Sequence, residues 1–214
     1  MNSNRKTTVA CGCSILLVSA TLVAGCAHLA GTDVDLRADT LAVMKTSFKS
    51  TDPAKLQEVL NPDEAQRLCS QSTDPVSKEV AKRIEEVELK SVRAPVDGQY
   101  LGDWKRGEIV AQNGRGMQFS DKVGGENGGN CYACHQMTQK EISFGNLGPS
   151  LYRYGKVRGN SDAIVQYTWG KVYDSQAYNA CSIMPRFGHN KVLSEQQMKD
   201  VVALLLDPTS PVNQ

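Results

Sequence analysis

Five consecutive residues, Cys131-Tyr132-Ala133-Cys134-His135, constrain this chain more than any other feature. C-x-x-C-H is the attachment signature of a c-type haem. The spacing has a chemical reason. Two thiols three positions apart can each form a thioether to one vinyl group of the same haem, and the histidine directly after them reaches the iron from one face. The competing readings are a disulfide, a redox dithiol or half of a zinc site. Zinc wants a second ligand pair at metal spacing, which the sequence lacks. A thioredoxin-like dithiol wants a βαβ setting, and the flanking residues do not suggest one. The motif therefore implies one covalently bound haem c.

The N-terminus reads as an export signal. Arg5 and Lys6 precede an apolar run from Cys11 to about Ala24, short and rich in small residues for a transmembrane helix. The run ends in Val23-Ala24-Gly25-Cys26, which resembles a bacterial lipobox. On that reading residues 1–25 leave, and Cys26 becomes the lipid-bearing first residue of a periplasmic, membrane-anchored protein. Ordinary cleavage nearby, after Ala27, would instead release a soluble periplasmic chain. Both routes lead out of the cytoplasm, into the compartment where disulfides persist. No later apolar run is long enough to span a bilayer.

Seven cysteines are present. Cys11 and Cys13 leave with the signal, Cys26 is the lipidation candidate, and Cys131 and Cys134 hold haem. Cys69 and Cys181 remain, and in an oxidising compartment they are expected to pair. Their disulfide would close a loop of more than a hundred residues, worth at most about 4–5 kcal/mol in the chain-entropy treatment. The net charge is +1. No strong global field is then available for nucleic acid or a membrane surface, and no nucleic-acid partner is expected.

The expected fold is mainly α, a class I cytochrome c domain (99–214) preceded by an all-helical N-terminal extension (26–98). Val76, Val80, Ile84 and Val87 repeat at helical spacing behind an Asp74-Pro75 start. Asn61-Pro62 suggests a similar start for a helix reaching Cys69, and Leu36, Met44 and Phe48 mark an earlier one. These stripes read as packing faces. Further on, Trp104 to Gln112 reads as the helix before the haem motif, and Gly107 within it suits a close helix crossing. Gly124 to Gly129 lead into the motif, as a tight approach or as plain loop flexibility. Ser161 is expected to cap a helix with Ile164, Val165, Thr168 and Val172 on one side. Ser194 and Gln197 form a capping box for the last helix, whose stripe is Met198, Val201, Val202 and Leu205.

Iron held by His135 needs a sixth ligand unless the protein binds gases or works with an open site. Met44, Met117, Met137, Met184, Met198, His28 and His189 are the candidates. Met137 follows His135 too closely to reach the opposite face, Met198 sits on the apolar stripe, and His28 lies at the export boundary. Met117 precedes the motif, against the usual chain order. Cytochrome c domains commonly present their methionine in the loop before the last helix, where Met184 stands, so that resemblance assigns iron to His135 and Met184. His189 is the runner-up. A His/Met pair raises the potential above that of bis-histidine and disfavours substrate binding to iron, which argues for electron transfer. The same resemblance gives Pro149 the role of offering its carbonyl to the distal N–H of His135. Tyr152, Tyr154, Trp169 and Arg158 are candidates to line the pocket or meet the propionates.

Several segments together resemble one family. They are Gly102-Asp103-Trp104-Lys105-Arg106-Gly107-Glu108, Gly129-Asn130 with the haem motif, Gly145-Asn146-Leu147-Gly148-Pro149-Ser150-Leu151, Met184-Pro185-Arg186-Phe187-Gly188, and the tail Leu206 to Asn213. The combination is similar to the SoxX family, the monohaem cytochrome subunits of the bacterial Sox thiosulfate-oxidising system. The likeness covers about residues 95–213, and the helical segment with Cys69 resembles the N-terminal extension of longer members. It implies a heterodimer with a haem-bearing SoxA subunit that carries the active-site cysteine. That complex, an L-cysteine S-thiosulfotransferase, joins thiosulfate oxidatively to a cysteine of the SoxYZ carrier protein. The haem of this chain would take the two released electrons one at a time and pass them to a downstream cytochrome. No residue here is expected to make or break the sulfur bond. Two rivals remain at this stage, a free-standing electron shuttle and a haem-based sensor.

Overall fold

The structure, a computed structural model, describes residues 36–49, 57, 59–71, 75–118, 120–122 and 124–214. The export segment, the lipobox with Cys26, and His28 lie outside the described residues. All regular structure among the described residues is helical. The chain divides into two compact units, residues 1–47 and 48–214. The first contributes one described helix, α1 (Leu36–Ser47), in which Leu36 is exposed.

Among the described residues of the second unit, six helices follow in order: α2 (Glu64–Gln71), α3 (Lys78–Ser91), α4 (Trp104–Gln112), α5 (Tyr154–Arg158), α6 (Asp162–Tyr173) and α7 (Glu195–Leu206). Short 3-10 turns lie at Cys131–Ala133, Ser175–Ala177 and Pro211–Asn213. The centre of the unit is the crossing of α4 and α7. Asp103 starts α4 by accepting from the Lys105 amide, and Ser194 and Gln197 form the reciprocal capping box that starts α7. A Cβ on Gly107 would sit 2.1 Å from the Asp200 carbonyl oxygen. The two backbones therefore meet where no side chain fits. Arg106 on α4 locks the contact by donating to both Asp200 oxygens, at 2.8 and 2.9 Å. The same buried carboxylate accepts from the Asp103 amide and from Gln196.

Around this crossing lies the apolar core of Val110, Ala111, Met198, Val201, Val202, Leu204 and Leu205, joined by Val165, Trp169 and Val172 from α6. Residues 198 to 206 of α7 are all buried, so its apolar face is broader than a four-residue stripe. Ser161 stands at the N-cap of α6 but makes no side-chain cap bond. The C-terminal tail closes the far end of α7. Buried Asn213 donates to the carbonyls of Leu205 and Asp207 and accepts from the amides of Gly155 and Lys156. These are carbonyls that a helix end leaves without intrahelical partners.

Three sequence expectations shift in the extension. Helix α2 begins at Asp63 rather than at Asn61-Pro62. Asp63 accepts from the Gln66 amide at 2.8 Å, and the Gln66 side chain accepts from the Asp63 amide at 2.9 Å. Helix α3 is capped by Ser77, which accepts from the Val80 amide, so Pro75 precedes the helix; Asp74 lies outside the described residues. Its inner face also differs from the apolar stripe. Ile84 is buried, Val87 is half exposed, and Glu88 is buried instead. A carboxylate takes that position because a buried arginine, Arg186, meets it.

Candidate functional site

The haem motif follows a loop that folds back on the end of α4. The amides of Gly128, Gly129 and Asn130 donate to the carbonyls of Arg115, Val110 and Asn113, at 2.8, 2.8 and 3.0 Å. Asn130 then takes the left-handed conformation (φ 47°) and opens the 3-10 turn Cys131–Ala133. Amides of Cys134 and His135 both donate to the Cys131 carbonyl, at 3.1 and 2.9 Å, so both thiols and the imidazole hang from a single turn. Tyr132 fastens the turn to α4 by donating to Glu108 at 2.9 Å. Burial raises the Tyr132 hydroxyl well above its ordinary value.

Cys131 and Cys134 are free thiols, both half-buried. The protein packed around Cys131 pushes its thiol up to about 12, so at neutral pH it is a neutral, apolar-sided group and not a redox-active thiolate. Cys69 and Cys181, by contrast, are joined in a disulfide 112 residues apart. The imidazole of His135 is buried. Its Nδ1 donates to the Pro149 carbonyl at 2.7 Å, which fixes the tautomer and leaves Nε2 as the nitrogen with a lone pair. A Cβ on Gly148 would fall 2.1 Å from Cε1 of this ring; the 148–149 backbone is the wall against which the ring is set.

Met184 is half-buried and packs on the same apolar core that half-buried Cys131 flanks. Its loop comes close to the motif through Phe187. A Cβ on Gly129 would lie 3.1 Å from the Cys131 sulfur and 3.8 Å from Phe187 and Leu193 carbons. The donor set thus consists of two unpaired thiols on one turn, an imidazole with Nε2 available and a thioether on a neighbouring loop. That set fits a covalently held haem with nitrogen and sulfur axial ligands.

The other sequence candidates are engaged elsewhere. Tyr152 donates to the Gln214 carbonyl, Tyr154 bonds Thr168, and Arg158 lies over the rings of Tyr154 and Tyr167. Trp169 donates to the Arg93 carbonyl. It also lines a groove of about 930 Å³ together with Val110, Tyr173, Leu193 and Met198. Cys131, Cys134, His135 and Met184 are not on that groove.

His189 sits in a cluster that sequence reasoning did not foresee. Arg186, only 4% exposed, donates from Nε to both oxygens of Asp174 at 3.1 and 3.0 Å, and from Nη2 to Glu88 at 2.6 Å. Its Nη1 reaches Asp63, and Nη2 lies 2.9 Å from both ring nitrogens of His189. Glu88, Asp174 and His189 approach as metal ligands would, but the guanidinium already stands among them. Burial raises the Glu88 carboxyl. Burial also works to raise Asp174, yet the His189 hydrogen bond and the Arg186 charge outweigh it and hold that carboxyl below its ordinary range. The only sequence signal for this cluster was an arginine inside an otherwise apolar Met-Pro-Arg-Phe-Gly run.

No protein-family model matches the chain. The chain is 35% identical over 176 residues to an uncharacterized lipoprotein of Aquifex aeolicus (strain VF5), an alignment covering 80% of this chain and 83% of that protein. No helix among the described residues is long and apolar enough to cross a membrane.

Proposed function

We propose that this chain, which belongs to the family of the Aquifex aeolicus lipoprotein, is a lipid-anchored periplasmic c-type cytochrome that relays electrons in thiosulfate oxidation; the relative supports the lipid alone, and the C-x-x-C-H turn supports the haem. The lipid is carried by Cys26, at the end of the lipobox-like run. Cys131 and Cys134 would hold one haem c, and His135 and Met184 would bind its iron. The observation that carries the reading is the His135 bond to the Pro149 carbonyl, made beside two unpaired thiols on one turn. A redox dithiol has no use for an imidazole oriented in this way; a zinc site would use one too, and it is the C-x-x-C-H spacing, with no second ligand pair at metal spacing, that favours haem over zinc.

The chain's own residues would divide the work as follows. The thiols tether the group, so it cannot dissociate during turnover. Pro149 holds the imidazole in one tautomer and one orientation, with Nε2 left to bind a metal. Met184 brings a thioether, a ligand that favours reduced iron and keeps other molecules off the metal. A haem so ligated supplies one-electron transfer at a raised potential. The partner class suggested by the SoxX-like motifs is a haem-bearing SoxA subunit, acting on the SoxYZ carrier with a cytochrome as downstream acceptor. In that assembly this chain is the electron-accepting subunit of an L-cysteine S-thiosulfotransferase, within a class I cytochrome c fold and its helical extension.

The test is to isolate the native protein, weigh it intact for one covalent haem and one lipid, and mix it with thiosulfate. Haem reduction only when the SoxA-type partner and the carrier are present supports the relay. Reduction absent with active partners confirmed would leave a stand-alone electron shuttle. An intact mass without haem would end the whole reading.

A further inference from the structure

The loop that carries Met184 is fastened on both sides, and most of its fastenings come from the N-terminal extension. Three residues before Met184, Cys181 is bonded to Cys69 of α2. One residue earlier still, the Ala180 amide donates to Glu85 of α3 at 3.0 Å. Two residues after Met184, Arg186 reaches Asp63 at the head of α2 and Glu88 on α3. The remaining ties come from the turn after α6. Asp174 accepts from Arg186, Ser175 donates to the Met184 carbonyl at 2.6 Å, and the Gly188 amide donates to the Tyr173 carbonyl at 3.0 Å. Between these anchors Ile183 is 81% exposed, while Phe187 is buried in the apolar core. The methionine inside it packs inward.

We infer that the extension is a clamp on the iron's sixth ligand, and that Arg186 is the positioning residue through which it acts. The inference rests on the assignment of Met184 to iron. The physical argument is preorganisation. A thioether is a weak, neutral ligand, and an untethered loop must lose its freedom each time the sulfur binds. Anchors three residues before and two residues after the sulfur remove that freedom in advance. Arg186 suits the task because its planar fork spends every nitrogen on a separate element: Nε on Asp174, Nη1 on Asp63, Nη2 on Glu88. Apart from this contact, the described residues of the extension show no candidate site. On this account the extension is what keeps the iron closed.

The test uses the haem-loaded full chain and reads the ferric charge-transfer absorption that marks sulfur on iron, together with carbon monoxide binding by the ferrous form. Arg186→Gln should keep its covalent haem, lose the sulfur band and bind carbon monoxide. Because that change strands buried carboxylates, a double Cys69→Ala, Cys181→Ala variant and the rim change Asp63→Asn, at a residue 38% exposed, are measured beside it. Each should weaken the band and open the iron in part. Arg106→Gln removes an ion pair at the α4–α7 crossing, away from the loop, and should lower stability with the band intact. If Arg186→Gln, where it folds, or the cysteine double variant keeps the full band and excludes carbon monoxide as the wild type does, the clamp is overturned. Equal band loss in Arg106→Gln would also overturn it, as mere destabilisation. A wild-type protein with haem but no sulfur band would overturn the Met184 assignment itself, a result distinguishable from failure of the clamp alone.

Discussion

Two regions of this molecule are held together by opposite means. At the α4–α7 crossing, contact is made chiefly by leaving atoms out, with one ion pair, Arg106–Asp200, beside it. Gly107 has no side chain, so backbones touch, and apolar residues fill the space around them. Where the extension meets the 174–189 segment, contact is made by adding charge and a covalent bond: one guanidinium, three carboxylates, an imidazole and a disulfide. The crossing supports the turn that carries Cys131, Cys134 and His135. The charged contact supports the loop that carries Met184. The difference teaches that the two proposed iron ligands sit on mountings of unlike character. One mounting centres on a bare-backbone crossing with no disulfide to lose, and the other depends on a cluster of charges and a reducible bond.

The largest effect should separate the two cysteine pairs. A Cys131→Ser, Cys134→Ser variant should lose covalent haem entirely, as read by intact mass, while its helical signal falls with the loss of haem as core. Removing Cys69 and Cys181 should leave the haem attached and cost up to about 4 kcal/mol of unfolding free energy, since the crosslink restricts a long unfolded loop. Denaturant titration in the presence and absence of reductant checks this. Haem loss from the second variant, or none from the first, would erase the contrast. Next in size is Gly107→Val. The added atoms would run into the Asp200 backbone and Leu204 Cβ, so the helices must part, at about 3 kcal/mol, in the upper range for overpacking. The same titration should show that loss with reductant making no difference to it. A Gly107→Val chain as stable as the wild type would mean that the crossing is looser than the structure has it.

How far each region could be read from sequence follows the same division. The crossing was legible because its signals are local. Asp103 and Ser194 are caps, Gln197 completes a box, and Gly107 is a glycine where a helix former would be expected. The disulfide was legible by elimination, once the other cysteines had uses. The charged contact was not. Asp63 and Glu88 lie 123 and 98 residues from Arg186, and no local pattern reports a partner at that distance. The same blindness misplaced the inner face of α3. Val87 fits the apolar period, but Glu88 is the buried residue, because tertiary pairing overrides periodicity. The start of α3 was misread for a simpler reason. Asp74 and Ser77 are both good caps, and only the folded chain shows that Ser77 is the one used.

The smallest expected effect tests the pH side of the comparison, and its sign can be worked out for each carboxylate. Asp174 is held below its ordinary range by His189 and Arg186 against the pull of burial. It binds fewer protons folded than unfolded, so its contribution is full above about pH 4 and is lost as pH falls through the lower folded value. Glu88 is raised by burial and runs the other way. Its contribution is present below about pH 4.3 and is lost as pH rises through the higher folded value. Each unit of displacement is worth about 1.4 kcal/mol. Urea midpoints taken from about pH 2 to 7 should therefore change in two distinct ways. Asp174→Asn should flatten the acid limb, and Glu88→Gln should flatten the decline just above it. Arg106→Gln, at the crossing, should lower the whole curve and leave the decline above pH 4.3 unaltered. If Asp174→Asn and Glu88→Gln keep the wild-type slopes, these two carboxylates do not set the pH response, and the charged contact is not the pH-responsive mounting.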